Sequence, residues 1–322
     1  MYIKYKYMNI VLLLVGLGLI LAGASLLTDG AAALAQRFRV PEFIVGLTVV
    51  AIGTSTPELV VSVLSALGGQ SDIAVGNVVG SNLFNVFVIL GVCTLIQPLA
   101  LSRSNIRRDI PFGFVASLLL FLFASDRLLH LGTVDRIDRT DGIVMLVLYI
   151  GLLWFTVKTA GRSVASEHSA KPAKALWLTL VFIVVGLAGL VGGGELFLHH
   201  ATVIARKLGV SESVIAITLV AGGTSLPELA SSVVSVVKGK AGLALGNVLG
   251  SNIANILLIL GVSATIRPLT MGGISTLDVS MVVLSSLLLF LTAFTFRRKT
   301  VDRWEGAIFL AIYAAYIWYL IK

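Results

Sequence analysis

Residues 53–58 read Gly53-Thr54-Ser55-Thr56-Pro57-Glu58, and 170 positions later the chain reads Gly223-Thr224-Ser225-Leu226-Pro227-Glu228. The likeness extends without a gap from 53–99 to 223–269, with 25 identities in 47 positions. Its second part repeats Gly76-Asn77-Val78-x-Gly80-Ser81-Asn82-x-x-Asn85 as Gly246-Asn247-Val248-x-Gly250-Ser251-Asn252-x-x-Asn255. Each copy therefore sets one glutamate, several hydroxyls and amides, and helix-breaking Gly and Pro inside strongly apolar sequence.

The surroundings are those of a membrane protein. Of the 322 residues, 57% are hydrophobic and only 12% charged, and the mean hydropathy is +1.00, more apolar surface than a soluble domain can bury. A helix needs about 20 apolar residues to cross a bilayer core. Apolar stretches recur at 9–28, 41–66, 74–97, 110–125, 142–158, 176–199, 210–237, 242–266, 279–296 and 305–321. We therefore expect an all-α polytopic membrane protein with ten transmembrane helices. The opening Met1–Lys6 and its apolar run read as the first of these rather than as a signal peptide.

The polar stretch 159–175 divides the chain into two five-helix halves, 1–158 and 176–322, whose repeated units lie at about 41–99 and 211–269. An odd number of crossings separates the units, so they enter the membrane from opposite faces. Such inverted repeats are a recurrent transporter architecture, with the site near the midplane on broken helices. The net charge of +8 fits cytoplasmic loops rather than nucleic acid. Fifteen of the 24 Lys and Arg fall on the side of the 159–175 loop. Both termini are thus expected outside and the linker in the cytoplasm, in the cell membrane.

Within one copy, Ser55 and Glu58 share a helical face, and Ser81 and Asn85 share another. Pro57 lacks an amide hydrogen and crowds the carbonyl of Gly53, so the carbonyls of Ala51 to Gly53 are expected to be partly released. In hydrocarbon such oxygens need protein, water or an ion. Two copies together offer two carboxylates, hydroxyls, amides and main-chain oxygens, all hard donors. These suit Ca2+, which takes about six to eight oxygens, and also Na+. The constellation holds no His or Cys, which argues against zinc, copper or iron.

These motifs resemble the two alpha-repeats of the sodium/calcium exchangers of the cation/calcium antiporter superfamily, in their prokaryotic form. The resemblance covers nearly the whole chain and implies exchange of several Na+ for one Ca2+ by alternating access, with the first and sixth helices sliding past the rest. It places ion ligands on the backbone carbonyls of Ala51 and Ala221 and on Thr54, Ser55, Glu58, Ser81, Asn85, Thr224, Ser225, Glu228, Ser251 and Asn255. Some relatives, notably the potassium-dependent branch, carry aspartate where this chain has Asn255, so the type without K+ is expected. Proton-coupled relatives usually carry GNxxE where this chain has GTSxPE, which makes H+ coupling the alternative rather than the first reading. Ca2+ and Na+ are the transported ions; no cofactor and no obligatory protein partner besides the lipid bilayer are implied.

Other readings are weaker. A buried glutamate can be purely structural, yet two at matching repeat positions in a membrane point to function. An intramembrane protease with Ser55 as nucleophile needs a base in reach, and His130, His168, His199 and His200 fall in or near expected loops. A passive Ca2+ channel uses similar oxygens, but commonly from rings of subunits. Glu195 has Ser25 as its repeat counterpart and is expected to act in structure or gating. Asp29, Asp278, His199 and His200 are expected at solvated helix ends, Ser62 and Ser65 in packing, and Cys93 as an inert packing thiol.

Overall fold

The computed structural model describes residues 2–128, 134–160, 175–208, 221–295 and 299–321. Each expected apolar stretch is mainly helical where it is described, with internal breaks at Ser55 and at Thr224 and Ser225. The helices are α1 (Tyr2–Phe38), α2 (Glu42–Thr54), α3 (Thr56–Leu67), α4 (Ser71–Ile96), α5 (Ile110–Phe123), α6 (Arg139–Ala160), α7 (Leu176–Lys207), α8 (Ala221–Gly223), α9 (Leu226–Val237), α10 (Ala241–Ile266), α11 (Thr276–Thr292) and α12 (Arg303–Ile321). Among the described residues α1, α4, α6, α7 and α10 are long and apolar enough to cross a membrane, and α2 with α3 forms a sixth candidate bent by 47°. Stretch 210–220, the linker 161–174, His130 and His168 lie outside the described residues.

The bend follows from the covalent chemistry. Ser55, at φ −81° and ψ 10°, leaves the helical region and opens α3, whose second residue is Pro57. Ser225, at φ −88° and ψ 7°, does the same before Pro227 and α9. The release of carbonyls is narrower than expected. Ala51 O still accepts from Ser55 N at 3.0 Å, and Ile52 O accepts from the Thr56 hydroxyl at 3.2 Å. Pro57 supplies no donor to the Gly53 oxygen, which instead accepts a backbone N–H at the cap of the broken helix.

Helices α4 and α10 are the most buried of the long helices, and both pass through a π-helical stretch, Phe84–Leu90 and Ala254–Leu260. Such wider turns are common at functional sites, and here they hold Asn85 and Asn255. Glycine lets the backbones meet. A Cβ at Gly46 on α2 would stand 2.5 Å from Leu243 O on α10, while Cβ atoms at Gly246 and Gly250 would collide with the carbonyl oxygens of Phe43 and Leu47. Along α1 and α7 a Cβ at Gly23 would lie 2.7 Å from Gly186 O, and one at Gly186 would lie 2.6 Å from Leu27 N. These two helices therefore pack backbone to backbone, the close approach that small residues permit between membrane helices.

The two halves exchange their ends. Helix α6 packs on the Gly261–Ile266 end of α10, α12 packs on the Gly91–Ile96 end of α4, and α5 meets α11, where the Ser117 and Ser286 hydroxyls are 2.7 Å apart. The all-α expectation is modified at the rims by four two-residue strands. β1 (Leu99–Ala100) pairs antiparallel with β4 (Thr300–Val301), and β2 (Arg136–Ile137) with β3 (Leu269–Thr270). Each pair joins the first half of the chain to the second.

Several expected helix ends are helix interiors. Helix α1 continues through Asp29, whose carboxylate receives Lys238 Nζ at 2.8 Å; the same ammonium donates to Ser25 Oγ at 2.7 Å. His199 and His200 lie inside α7, and His200 Nδ1 is 3.0 Å from Asn9 Oδ1. Asp278 is buried rather than solvated: it closes a capping box with Ser275 and accepts from Tyr316 at 2.7 Å. That reciprocal cap satisfies free donors at the start of α11.

A buried oxygen cluster between two broken helices

The two breaks bring the repeated motifs together. Glu58 and Glu228 are each 0% exposed, and each accepts a hydroxyl from the other half of the chain. Ser55 Oγ donates to Glu228 Oε1 at 2.8 Å, and Ser225 Oγ donates to Glu58 Oε1 at 3.0 Å. Ser81 Oγ adds a second contact to Glu58 Oε1 at 3.3 Å, and Ser225 Oγ reaches Ser81 Oγ at 3.1 Å. Each serine stands at the kink, so its side chain projects across the gap between α2 and α3, or between α8 and α9, instead of along a helix. Sequence placed Ser55 on the face of Glu58; the structure gives its proton to Glu228.

The threonines cross in the same manner. Thr54 Oγ1 donates to Asn247 Oδ1 at 3.1 Å, and Thr224 Oγ1 donates to Asn77 Oδ1 at 3.4 Å. Asn77 and Asn247 are the part of the site that sequence reasoning passed over. Both stand in the repeated Gly-Asn-Val triplet, and that duplication was the signal available. Asn77 Nδ2 donates to Glu58 O at 3.1 Å and to Ser62 Oγ at 3.0 Å. Asn247 Nδ2 donates to Ser231 Oγ at 2.9 Å, Ser232 Oγ at 3.0 Å and Glu228 O at 3.4 Å. Ser62, expected only to pack, thus helps to hold an amide of the cluster.

Asn85 and Asn255 are not hydrogen-bonded to each other. Asn85 Nδ2 donates to Asn252 Oδ1 at 3.0 Å, and Asn252 Nδ2 lies 3.4 Å from Asn82 O. Among the described residues, Glu58 Oε2, Glu228 Oε2, Asn85 Oδ1, Asn82 Oδ1, Ser251 Oγ and both polar atoms of Asn255 are buried without a hydrogen-bond partner. Buried polar atoms are ordinarily satisfied, and burial of an unpaired carboxylate costs several kcal/mol. A cluster dominated by unmet oxygens, with two carboxylates among them, is what a desolvated cation of hard character requires. Among the described residues no three His, Cys, Asp or Glu gather as a metal centre would need.

Of the twelve expected positions, the structure joins Thr54, Ser55 and Glu228 in one hydrogen-bonded network through Asn247, and Glu58, Ser81 and Ser225 in a second, mirrored one. Thr224 joins it through Asn77. Asn85 lies in the π-helical turn beyond Ser81, and Ser251 and Asn255 are buried at the matching places on α10. Ala51 is fully buried, with its carbonyl in the helical bond to Ser55; Ala221 heads α8. Glu195 is exposed on α7 and has no bond to the cluster among the described residues. Cys93 is a buried free thiol, in keeping with packing.

Comparison with known proteins agrees with this geometry. The family model described as sodium/calcium exchanger protein matches residues 8–158 and 178–322. The chain is 31% identical to the sodium/calcium exchanger MaX1 of Methanosarcina acetivorans, covering 96% of this chain and 97% of that protein. It is 36% identical to the inner membrane protein YrbG of Escherichia coli, covering 86% of each. Its fold superposes on the solved structure of the sodium-calcium exchanger NCX_Mj soaked with Na+ and Ca2+ with a TM-score of 0.82, at 34% identity over 96% of this chain and 97% of that one. An oxygen cluster built from two copies of one motif, in a chain that this family's model matches from end to end, leads to one assignment: the protein belongs to the sodium/calcium exchanger family of membrane antiporters.

Proposed function

We propose that this chain exchanges several Na+ for one Ca2+ by alternating access, at a site formed by Ala51, Thr54, Ser55, Glu58, Ser81, Asn85, Ala221, Thr224, Ser225, Glu228, Ser251 and Asn255. The observation that carries the reading is the pair of wholly buried glutamates, each with one carboxylate oxygen occupied by a hydroxyl of the opposite half and the other without a partner. Two like charges in a water-poor cluster need a counter-ion, and one Ca2+ neutralises both. Several Na+ in the same space leave it positive, so exchange of more than two Na+ per Ca2+ carries net charge and responds to voltage.

The architecture proposed around this site is two inverted five-helix repeats, 1–158 and 176–322, with both termini outside and the 159–175 linker in the cytoplasm. The backbone-to-backbone packing of α1 on α7 supports these two helices moving as one body past the remainder. Asn255, where a carboxylate would add charge, supports transport without K+.

The test is radiolabelled Ca2+ uptake into proteoliposomes loaded with Na+ and diluted into Na+-free buffer, beside vesicles loaded with K+ and others carrying a pH gradient. Uptake that requires internal Na+ is expected. Uptake driven by the pH gradient alone would establish H+ coupling, and uptake indifferent to both gradients would establish a pore.

A further inference from the structure

We propose that Asn77 and Asn247 are positioning residues for the ion site: each amide oxygen takes the hydroxyl hydrogen of the opposite repeat's threonine, so that the threonine presents only lone pairs to the ion. The inference rests on the site reading above and adds two residues to it that are not themselves ligands.

A hydroxyl has one hydrogen and two lone pairs, and its rotor turns to suit its neighbours. Beside a cation the hydrogen must point elsewhere. Thr54 Oγ1 lies 3.1 Å from Asn247 Oδ1 and Thr224 Oγ1 lies 3.4 Å from Asn77 Oδ1. An amide oxygen carries no hydrogen, so the threonine is the donor in each pair. The orientation of each amide is fixed by its nitrogen, which faces a backbone carbonyl that can only accept, Glu228 O for Asn247 and Glu58 O for Asn77, beside the hydroxyls of Ser231, Ser232 and Ser62. Turning either amide over would set its oxygen against that carbonyl, which has no hydrogen to give.

The serines of the same motifs place their hydrogens on Glu228 and Glu58, so all four hydroxyls of the two Gly-Thr-Ser triplets donate across to the other repeat. For the serines the acceptors are themselves proposed ligands; for the threonines the acceptor stands behind them. The asparagine thus acts on the ion through the threonine. Without it, the Thr54 hydrogen has the Ala51 carbonyl, 3.4 Å away, and the Glu228 carboxylate as its remaining acceptors, and both are themselves proposed to bind the ion. The hydroxyl would then compete with the cation for a ligand.

The experiment is a double-mutant cycle on purified, reconstituted full-length protein, reading the half-saturating Ca2+ concentration and the maximal rate of Na+-driven uptake. Asn247→Ala is expected to raise the half-saturating Ca2+ by about tenfold with the maximal rate changed by less than about twofold, the scale of one hydrogen bond in a buried charged site. On a Thr54→Val background, where no hydroxyl remains to orient, Asn247→Ala should add less than about twofold; on Thr54→Ser, which keeps the hydroxyl, the cost should return to about tenfold. Equal costs on the Val and Ser backgrounds, or a lost maximal rate at unchanged half-saturation, would overturn the proposal in favour of a packing role. If Asn247→Ala does not fold, the cycle of Asn77→Ala with Thr224→Val and Thr224→Ser decides by the same criteria, since Asn77 is only half-buried and tolerates truncation better. Glu58→Gln serves as the separate control: retained transport in that variant would remove the site reading itself, whereas its loss together with additive cycles would remove only the role of the asparagines.

Discussion

The two copies of the motif carry the same polar residues and make unequal use of them. Ser81 donates to Glu58 Oε1 at 3.3 Å, whereas its counterpart Ser251 stands toward Glu228 without closing a hydrogen bond of that geometry. Asn85 is tied to Asn252, whereas neither polar atom of Asn255 is bonded. Lys238 holds Ser25 and Asp29 of α1, whereas the equivalent position in the first half is Gly68, which has no side chain to offer. The crossed bonds are nonetheless shared by both copies. Duplication therefore preserves the crossed bonds of the two Gly-Thr-Ser triplets and the asparagine bonds behind them, while other bonds within and between the halves differ.

The sharpest way to break that comparison is at the glutamates, where the copies are most alike. Glu58→Gln and Glu228→Gln should each abolish Ca2+ uptake, because one remaining carboxylate cannot neutralise a desolvated divalent ion; near-normal uptake in both would sink the site. A smaller difference is expected at the prolines. Pro57→Ala and Pro227→Ala should each slow exchange several-fold at nearly unchanged half-saturating Ca2+, since an alanine N–H returns a helical bond to Gly53 or Gly223 and opposes the bend. Parent-like rates in both would show that the missing donor is irrelevant to transport.

The serines test the asymmetry itself. Ser81→Ala removes an oxygen and also strips Glu58 of a donor at 3.3 Å, whereas Ser251→Ala removes an oxygen and only a weaker contact with Glu228. Half-saturating Ca2+ should rise about tenfold in the first and about threefold in the second; the reverse order would mean that the bond to Glu58 carries no weight. At the smallest end, adding K+ to either side should leave Na+-driven Ca2+ uptake unchanged, because Asn255 supplies no extra charge. A K+ requirement would place an ion beside Asn255 that the present reading does not need.

Much of this was legible before any coordinates. A glutamate in an apolar helix is expensive enough to mean something, and its recurrence at a fixed offset identified Glu58 and Glu228 with their hydroxyl neighbours. The crossing of the bonds was not legible, because an offset states which residues are equivalent and says nothing of which ones touch. Asn77 and Asn247 escaped notice because an amide next to glycine in a membrane helix reads as a packing device until its partners are known. The length of α1 was cut short for a related reason. Thr28-Asp29-Gly30 looks like a helix end, yet Thr28 Oγ1 meets Ser235 Oγ at 3.0 Å and Asp29 meets Lys238, so tertiary partners carry the helix through its polar stretch. The paired strands were invisible, since two residues are too few to show a period.

Those small strands govern the order in which the molecule can be completed. Leu99 lies beside Val301, and Arg136 beside Thr270, so a ribosome has made nearly the whole chain before the first half finds its last neighbour. Until then β1 waits as an open edge, and α4 lacks the α12 face that packs against its end. Contacts so distant in sequence form slowly and leave apolar surface bare in the meantime. A chain without β4 and α12 therefore leaves β1 unpaired and the end of α4 uncovered.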